Sequence, residues 1–118
     1  MQIQINTDHN IEGDEVLVAQ VSGVVEDALN RFSDHITEVE VYLSDENSAK
    51  KGGNNDIRCL MEARLEGQKP IAVIHHAATS EQAVDSAADK LARLIESTLE
   101  RLHHQARRRT DPPLLPES

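Results

Sequence analysis

Ile3 and Ile5 alternate with Gln2, Gln4 and Asn6 at the start of the chain, and a period of two is the pattern of a half-buried strand. A polar connection runs from Asp8 to Gly13. Asp14 is then placed to cap a helix, with Glu15 in its first turn. From Glu15 to Phe32 the apolar positions are Leu17, Val21, Val24, Val25, Ala28, Leu29 and Phe32. Steps of four, three and one predict an amphipathic helix. Valine is a modest helix former, so packing must supply what propensity does not. Alternation returns from Glu38 to Ser44, around Val39, Val41 and Leu43, and again from Ile57 through Cys59, Met61 and Ala63 to Leu65. Pro70 to Ala77 is a shorter, more apolar run. Glu66-Gly67-Gln68-Lys69-Pro70 is tight enough to make the last two strands a hairpin, whereas the polar, Gly-containing stretch from Asp45 to Asn55 reads as a flexible loop. Thr79 with Gln82 matches a capping box, and the helix it opens runs to about Arg109, where Asp111-Pro112-Pro113 stops it.

This order of elements predicts an α+β fold: a βαβββα two-layer sandwich with two helices packed on one face of a four-stranded sheet. One domain is expected over residues 1–109, followed by a disordered Pro-rich tail over residues 110–118. The chain length of 118 residues fits one core. That core must be aliphatic, because Phe32 and Tyr42 are the only aromatic residues.

Composition narrows the function. The formal charge is −9, which argues against nonspecific attachment to DNA or anionic membranes, where neutralised phosphates supply the affinity. The lone thiol, Cys59, leaves no disulfide framework within the chain and fits a reducing compartment. The N-terminal residues resemble neither a signal peptide nor a membrane span, so a cytoplasmic protein is expected.

The last helix has three faces. Val84, Ala88, Leu91, Ile95, Leu99, Leu102 and Ala106 form an apolar stripe that should face the core. Lys90, Arg93, Ser97, Arg101, His104 and Arg108 recur in steps of three and four and share roughly a sixth of the circumference. Glu81, Asp85, Asp89, Glu96 and Glu100 lie between these two on one side. Residues 80–109 hold six basic and five acidic groups, against six and fourteen in residues 1–79. The basic stripe is therefore a local feature of an acidic protein. It has an ordinary explanation as a solvated face whose cations suit the helix C-terminus and pair with acids four residues away, such as Asp89 with Arg93. It also has a functional one as a phosphate-contact surface for structured RNA, for which the planar guanidinium is suited. Single-stranded base recognition is disfavoured, because aromatic stacking platforms are missing.

No catalytic, cofactor or metal constellation is expected. His75 and His76 are adjacent on a strand and point to opposite faces, and His103 and His104 are poorly placed on a helix to share one ion. Cys59 falls in the inward phase of its strand and reads as a small core hydrophobe. Gly52-Gly53 lacks the following lysine and helix of a phosphate cradle. Glu38, Glu40, Glu62, Glu66, Arg58 and Arg64 share the polar phase of their strands. They read as a solvated sheet face with cross-strand ion pairs, or alternatively as an acidic docking surface for a basic protein.

The run Val84-Asp85-Ser86-Ala87-Ala88-Asp89-Lys90-Leu91-Ala92-Arg93-Leu94-Ile95 resembles the second-helix signature of the ribosome hibernation promoting factor family, also called ribosome-associated inhibitor or sigma-54 modulation proteins. The opening strand and Asn10-Ile11-Glu12 are similar as well, and the resemblance extends over about residues 1–106. It implies the short, single-domain class and a non-catalytic ribosome-associated translation modulator. The implied partner is ribosomal RNA of the small subunit near the decoding region. Lys90, Arg93 and Arg101 stand at basic positions of the pattern, with His104 and Arg108 extending the same stripe. The chain departs from the pattern at Ser97 and Leu99, where lysines are expected, and from Glu12 to Phe32, which holds five acids and only Arg31 as a base. Two functional expectations follow: rRNA binding through the basic stripe, or an acidic protein-interaction domain on the same scaffold with weak or no rRNA binding. Whether Arg31 extends the stripe depends on how the helices pack.

Overall fold

The computed structural model describes residues 1–8, 11, 14–46 and 56–110, with side chains described as far as residue 105. The expected flexible loop and the tail fall largely or wholly outside these residues. Four strands, β1 (Gln2–Thr7), β2 (Ile36–Asp45), β3 (Ile57–Leu65) and β4 (Ile71–Ala77), form one sheet in the order β1-β2-β3-β4. α1 (Glu15–Leu29) and α2 (Ser80–Thr110) carry the chain between and beyond them, with a short 3₁₀ turn over Asn30–Phe32. β1 and β2 are parallel, so α1 is the crossover that parallel pairing requires, and the other two pairs are antiparallel. This is the α+β sandwich expected from the sequence.

Local signals begin the helices and turn the hairpin as anticipated, while the expected stop at Asp111-Pro112-Pro113 lies outside the described residues. Asp14 accepts a hydrogen bond from the Leu17 amide at 2.9 Å, and Thr79 accepts one from the Gln82 amide at 3.1 Å. Each satisfies an amide that the first helical turn leaves without a partner. In the β3–β4 hairpin the Gln68 amide donates to the Leu65 carbonyl at 3.1 Å, and Gly67 takes a φ of 72°. That is the third residue of a type II turn, where a side chain would clash and glycine does not.

The core lies between the inner sheet face and the helices. Val39, Val41 and Leu43 of β2 and Cys59, Met61 and Ala63 of β3 are buried. Val21, Val25 and Leu29 pack down from α1, and the 3₁₀ turn after it tucks Phe32 into the same core. α2 adds Val84, Leu91 and Ile95 together with Ala83, Ala87, Ala88 and Ala92. The four alanines hold the helix close to the sheet. Leu99 and Leu102 of the expected stripe are half-buried. β2 starts earlier than its alternation indicates. A register irregularity between Ile36 and Glu38 lets Ile36 point inward although it lies three residues before Val39.

Gly23 sits inside α1, and a methyl group there would meet nothing within 4 Å. Gly23→Ala should therefore raise stability by about 0.5–1 kcal/mol by restricting the unfolded chain. The expected observation is a higher urea midpoint at an unchanged denaturant slope.

Candidate nucleic-acid interface

A helix of 31 residues is about 46 Å long at ~1.5 Å per residue. Its deeply buried residues end at Ile95. Beyond that point Leu99, Leu102 and His103 lie against His35, Leu65, Glu66 and Gln68, at the end of the sheet where the hairpin turns. The first half of α2 is thus anchored along the sheet, and the second half offers most of its circumference to solvent.

The sides of α2 differ sharply. Asp85 and Asp89 line the cleft between the helices with Asp27 of α1. Glu96, on the same side, pairs with Arg31 at 3.5 Å. Arg31 also lies over the ring of Phe32, 4.6 Å from its centroid. It belongs to the acidic side and does not extend the basic stripe.

Lys90, Arg93, Arg101 and His104 are all exposed. Lys90 and Arg93 stand beside β4, sharing a groove with Val73, Ile74 and Leu94. The Lys90 ammonium donates to the Ile74 carbonyl oxygen at 3.4 Å. Arg93 pairs with Asp89 at 2.8 Å, as its spacing of four residues indicated, yet 75% of its side chain remains exposed. An exposed pair of this kind is worth little and can be exchanged for a stronger anion. About two to three turns further on, Arg101 and His104 share a second groove with Ser97, Glu100 and Gln105, and Arg101 donates to the Thr98 hydroxyl at 3.5 Å. The stripe therefore has two stations: one set against a strand edge, the other on the helix beyond its buried half. The Arg108 side chain lies outside the described residues.

The outer sheet face bears the expected charges. Arg64 stands among Glu38, Glu40 and Glu62 at 3.8–4.0 Å. Glu40 is directly opposite Glu62 in register, an unfavourable like-charge pairing that a single guanidinium only partly offsets. The Tyr42 hydroxyl donates to Glu40 at 2.9 Å. That bond, together with the negative charges of Glu40 and Glu62, holds the phenol above its ordinary range. At the other end of the face His76 meets Asp56 at 2.9 Å, while His75 on the same strand turns inward and is half-buried. The two histidines point apart, as strand geometry requires.

Among the described residues no group of three His, Cys, Asp or Glu side chains is placed to hold a metal ion, and no helix is long and apolar enough to cross a membrane. Cys59 is buried, and desolvation pushes its thiol up to about 12. The nucleophile is the thiolate, so at pH 8 the native protein should leave a thiol-directed disulfide reagent nearly unreacted. Full reaction should appear only on addition of denaturant, followed as released chromophore.

Sequence reasoning did not find the part played by β4. Lys90 touches the strand, and Ile74 and Leu94 are exposed on either side of the contact. The signal was weak: a short apolar run immediately before the helix, with nothing to mark it as an edge.

Comparison with known proteins is consistent with this architecture. The structure matches the crystal structure of the Thermus thermophilus Protein Y N-terminal domain with a TM-score of 0.68 at 20% identity, covering 83% of this chain and 99% of that one. It matches a ribosomal subunit interface protein from Coxiella burnetii with a TM-score of 0.65 at 16% identity, covering 85% and 99%. At such identities the likeness speaks for the fold. No curated protein matches the sequence. Residues 3–103 match the family model described as sigma 54 modulation protein / S30EA ribosomal protein. The match runs from the first strand into the exposed half of α2, and the chain belongs to that family.

Proposed function

We propose that the protein is a non-catalytic, ribosome-associated translation modulator of the hibernation type. It works in the cytoplasm and binds ribosomal RNA of the small subunit through Lys90, Arg93, Arg101, His104 and Arg108. The observation that carries the reading is the family match over residues 3–103. It is supported by a ribosomal subunit interface protein among the structural relatives. The choice of face rests on the four described cations of the stripe, which are exposed and none of which lines the interhelix cleft, although Arg93 pairs with Asp89 at its border.

The charges of this chain set the character of the binding. A stripe of a few cations on a protein of net charge −9 makes a short list of phosphate contacts. Affinity should fall steeply with salt, because each contact releases counterions. Glu100 beside Arg101 and Asp89 beside Arg93 repel phosphate further and restrict binding to RNA whose shape places its backbone on the cations. The test is pelleting of the purified protein with purified small subunits at low and at raised salt. Binding that is retained unchanged in high salt, or absent at both, contradicts the reading.

A second reading is favoured by the glutamates around Arg64 and by the opposed Glu40 and Glu62. On it, the outer sheet face is an acidic docking surface for a basic ribosomal or other protein. Association that survives nuclease treatment and is lost in Glu40→Gln/Glu62→Gln would support that reading over the first.

A further inference from the structure

Hydrogen-bond parity identifies which backbone groups of β4 are free. The Glu46 amide donates to the Asp56 carbonyl across the end of the β2–β3 ladder. Residues in an antiparallel strand alternate between their two neighbours. Arg58, Leu60, Glu62 and Arg64 therefore bond to β2, and Ile57, Cys59, Met61 and Ala63 turn to β4. Their register partners on β4 are Ala77, His75, Val73 and Ile71. The main-chain groups of Ala72, Ile74 and His76 are left pointing away from the sheet. The Lys90 ammonium confirms the assignment independently, because it takes the outward carbonyl of Ile74 at 3.4 Å. β4 is the last strand of the sheet, and among the described residues no turn or loop main chain bonds to Ala72, Ile74 or His76.

Beside this edge lies a shallow groove of about 390 Å³ bounded by Val73, Ile74, Lys90, Arg93 and Leu94. Its walls are mainly aliphatic, and Ile74 and Leu94 remain 44% and 45% exposed. Exposed leucines and isoleucines scattered singly need no explanation. Here two of them flank a row of backbone donors and acceptors that no strand pairs, with two cations in the same groove. That combination matches a polypeptide segment in extended form: main chain for the edge, carboxylates on the α2 side for the cations, and the alternate apolar side chains on the opposite face beside Ile74. A second copy of this chain fits poorly, since β4 pairing with β4 would bring Lys90 and Arg93 of both copies to one seam.

We propose that the β4 edge binds an extended segment of alternating apolar and acidic residues as a fifth strand, with Lys90 exchanging the Ile74 carbonyl for a carboxylate of the ligand. The site requires no RNA, so its test is separate from that of the ribosomal reading. The probe is a fluorescein-labelled, acetylated heptapeptide of alternating glutamate and valine, titrated into the full chain and followed by anisotropy. Amide exchange is read by NMR. Saturable binding is expected, with new protection at the amides of Ala72, Ile74 and His76. Leu94→Glu, at an exposed position, should weaken it by about tenfold or more, because a like charge then faces the ligand. The same peptide with alternate backbone amides methylated should not bind to the unaltered protein, which tests strand pairing without any variant. The proposal is overturned by no binding up to about 1 mM peptide. Equal binding to Leu94→Glu, equal binding of the methylated peptide, or binding that leaves those three amides unprotected would also overturn it.

Discussion

Arg93→Glu combined with Arg101→Glu should reduce binding to small subunits by about a hundredfold or more, since each charge-assisted hydrogen bond removed is worth roughly 1.5–3 kcal/mol. The fold should be untouched. Both side chains are exposed, and exposed substitutions commonly move stability by within about 0.5 kcal/mol. Arg93→Glu places a new carboxylate four residues after Asp89, which exchanges a favourable pair for an unfavourable one. In a helix that costs only a few tenths of a kcal/mol. The two positions also separate the stations of the stripe. Arg93 stands with Lys90 against β4, and Arg101 with His104 on the exposed half of the helix. Each single reversal should give an intermediate affinity and a shallower salt slope. Unaltered affinity in the double variant, with native circular dichroism, would remove α2 from the interface.

Leu91→Ala should be the most damaging single truncation in α2, costing about 2–5 kcal/mol. Leu91 is fully buried where α2 crosses the sheet. Apart from Ile95 one turn on, the buried helix positions around it are alanines at 87, 88 and 92, which have little side chain to move into the space left. Against a total stability of about 5–15 kcal/mol, such a loss lowers the melting temperature by roughly 10–20 °C. Leu94, one turn along and 45% exposed, is the internal control, and Leu94→Ala should change the melting temperature little. Equal effects from the two would mean that α2 is rotated about its axis from the packing described.

How far the sequence anticipated this follows from which interactions are local. The caps at Asp14 and Thr79 were legible because each acts on an amide three residues away. The strands were legible wherever alternation was regular. Ile36 escaped because a bulge shifts its phase against Val39. The angular order of apolar, acidic and basic stripes on α2 is fixed by helical geometry and could be read without a structure. Which stripe faces α1 and which faces β4 is a matter of packing. For that reason Arg31 was left open, and it lies with Glu96 on the acidic side. The same cause hid the β4 edge. No periodicity marks the last strand of a sheet as its border, and the contact of Lys90 with the Ile74 carbonyl joins residues from two elements.

A site-specific crosslink tests the interface most directly. Ser97 is exposed in the middle of the stripe, between its two stations. Cys59 is buried and its thiol is pushed up to about 12, so a cysteine introduced at position 97 can be labelled alone with a photoreactive maleimide. Gln4, exposed on the outer sheet face opposite Glu40, supplies the control position. Irradiation with small subunits should attach Ser97→Cys to ribosomal RNA and leave Gln4→Cys unattached. RNA captured from position 4 and not from position 97 would contradict the assignment of α2 as the RNA-binding face.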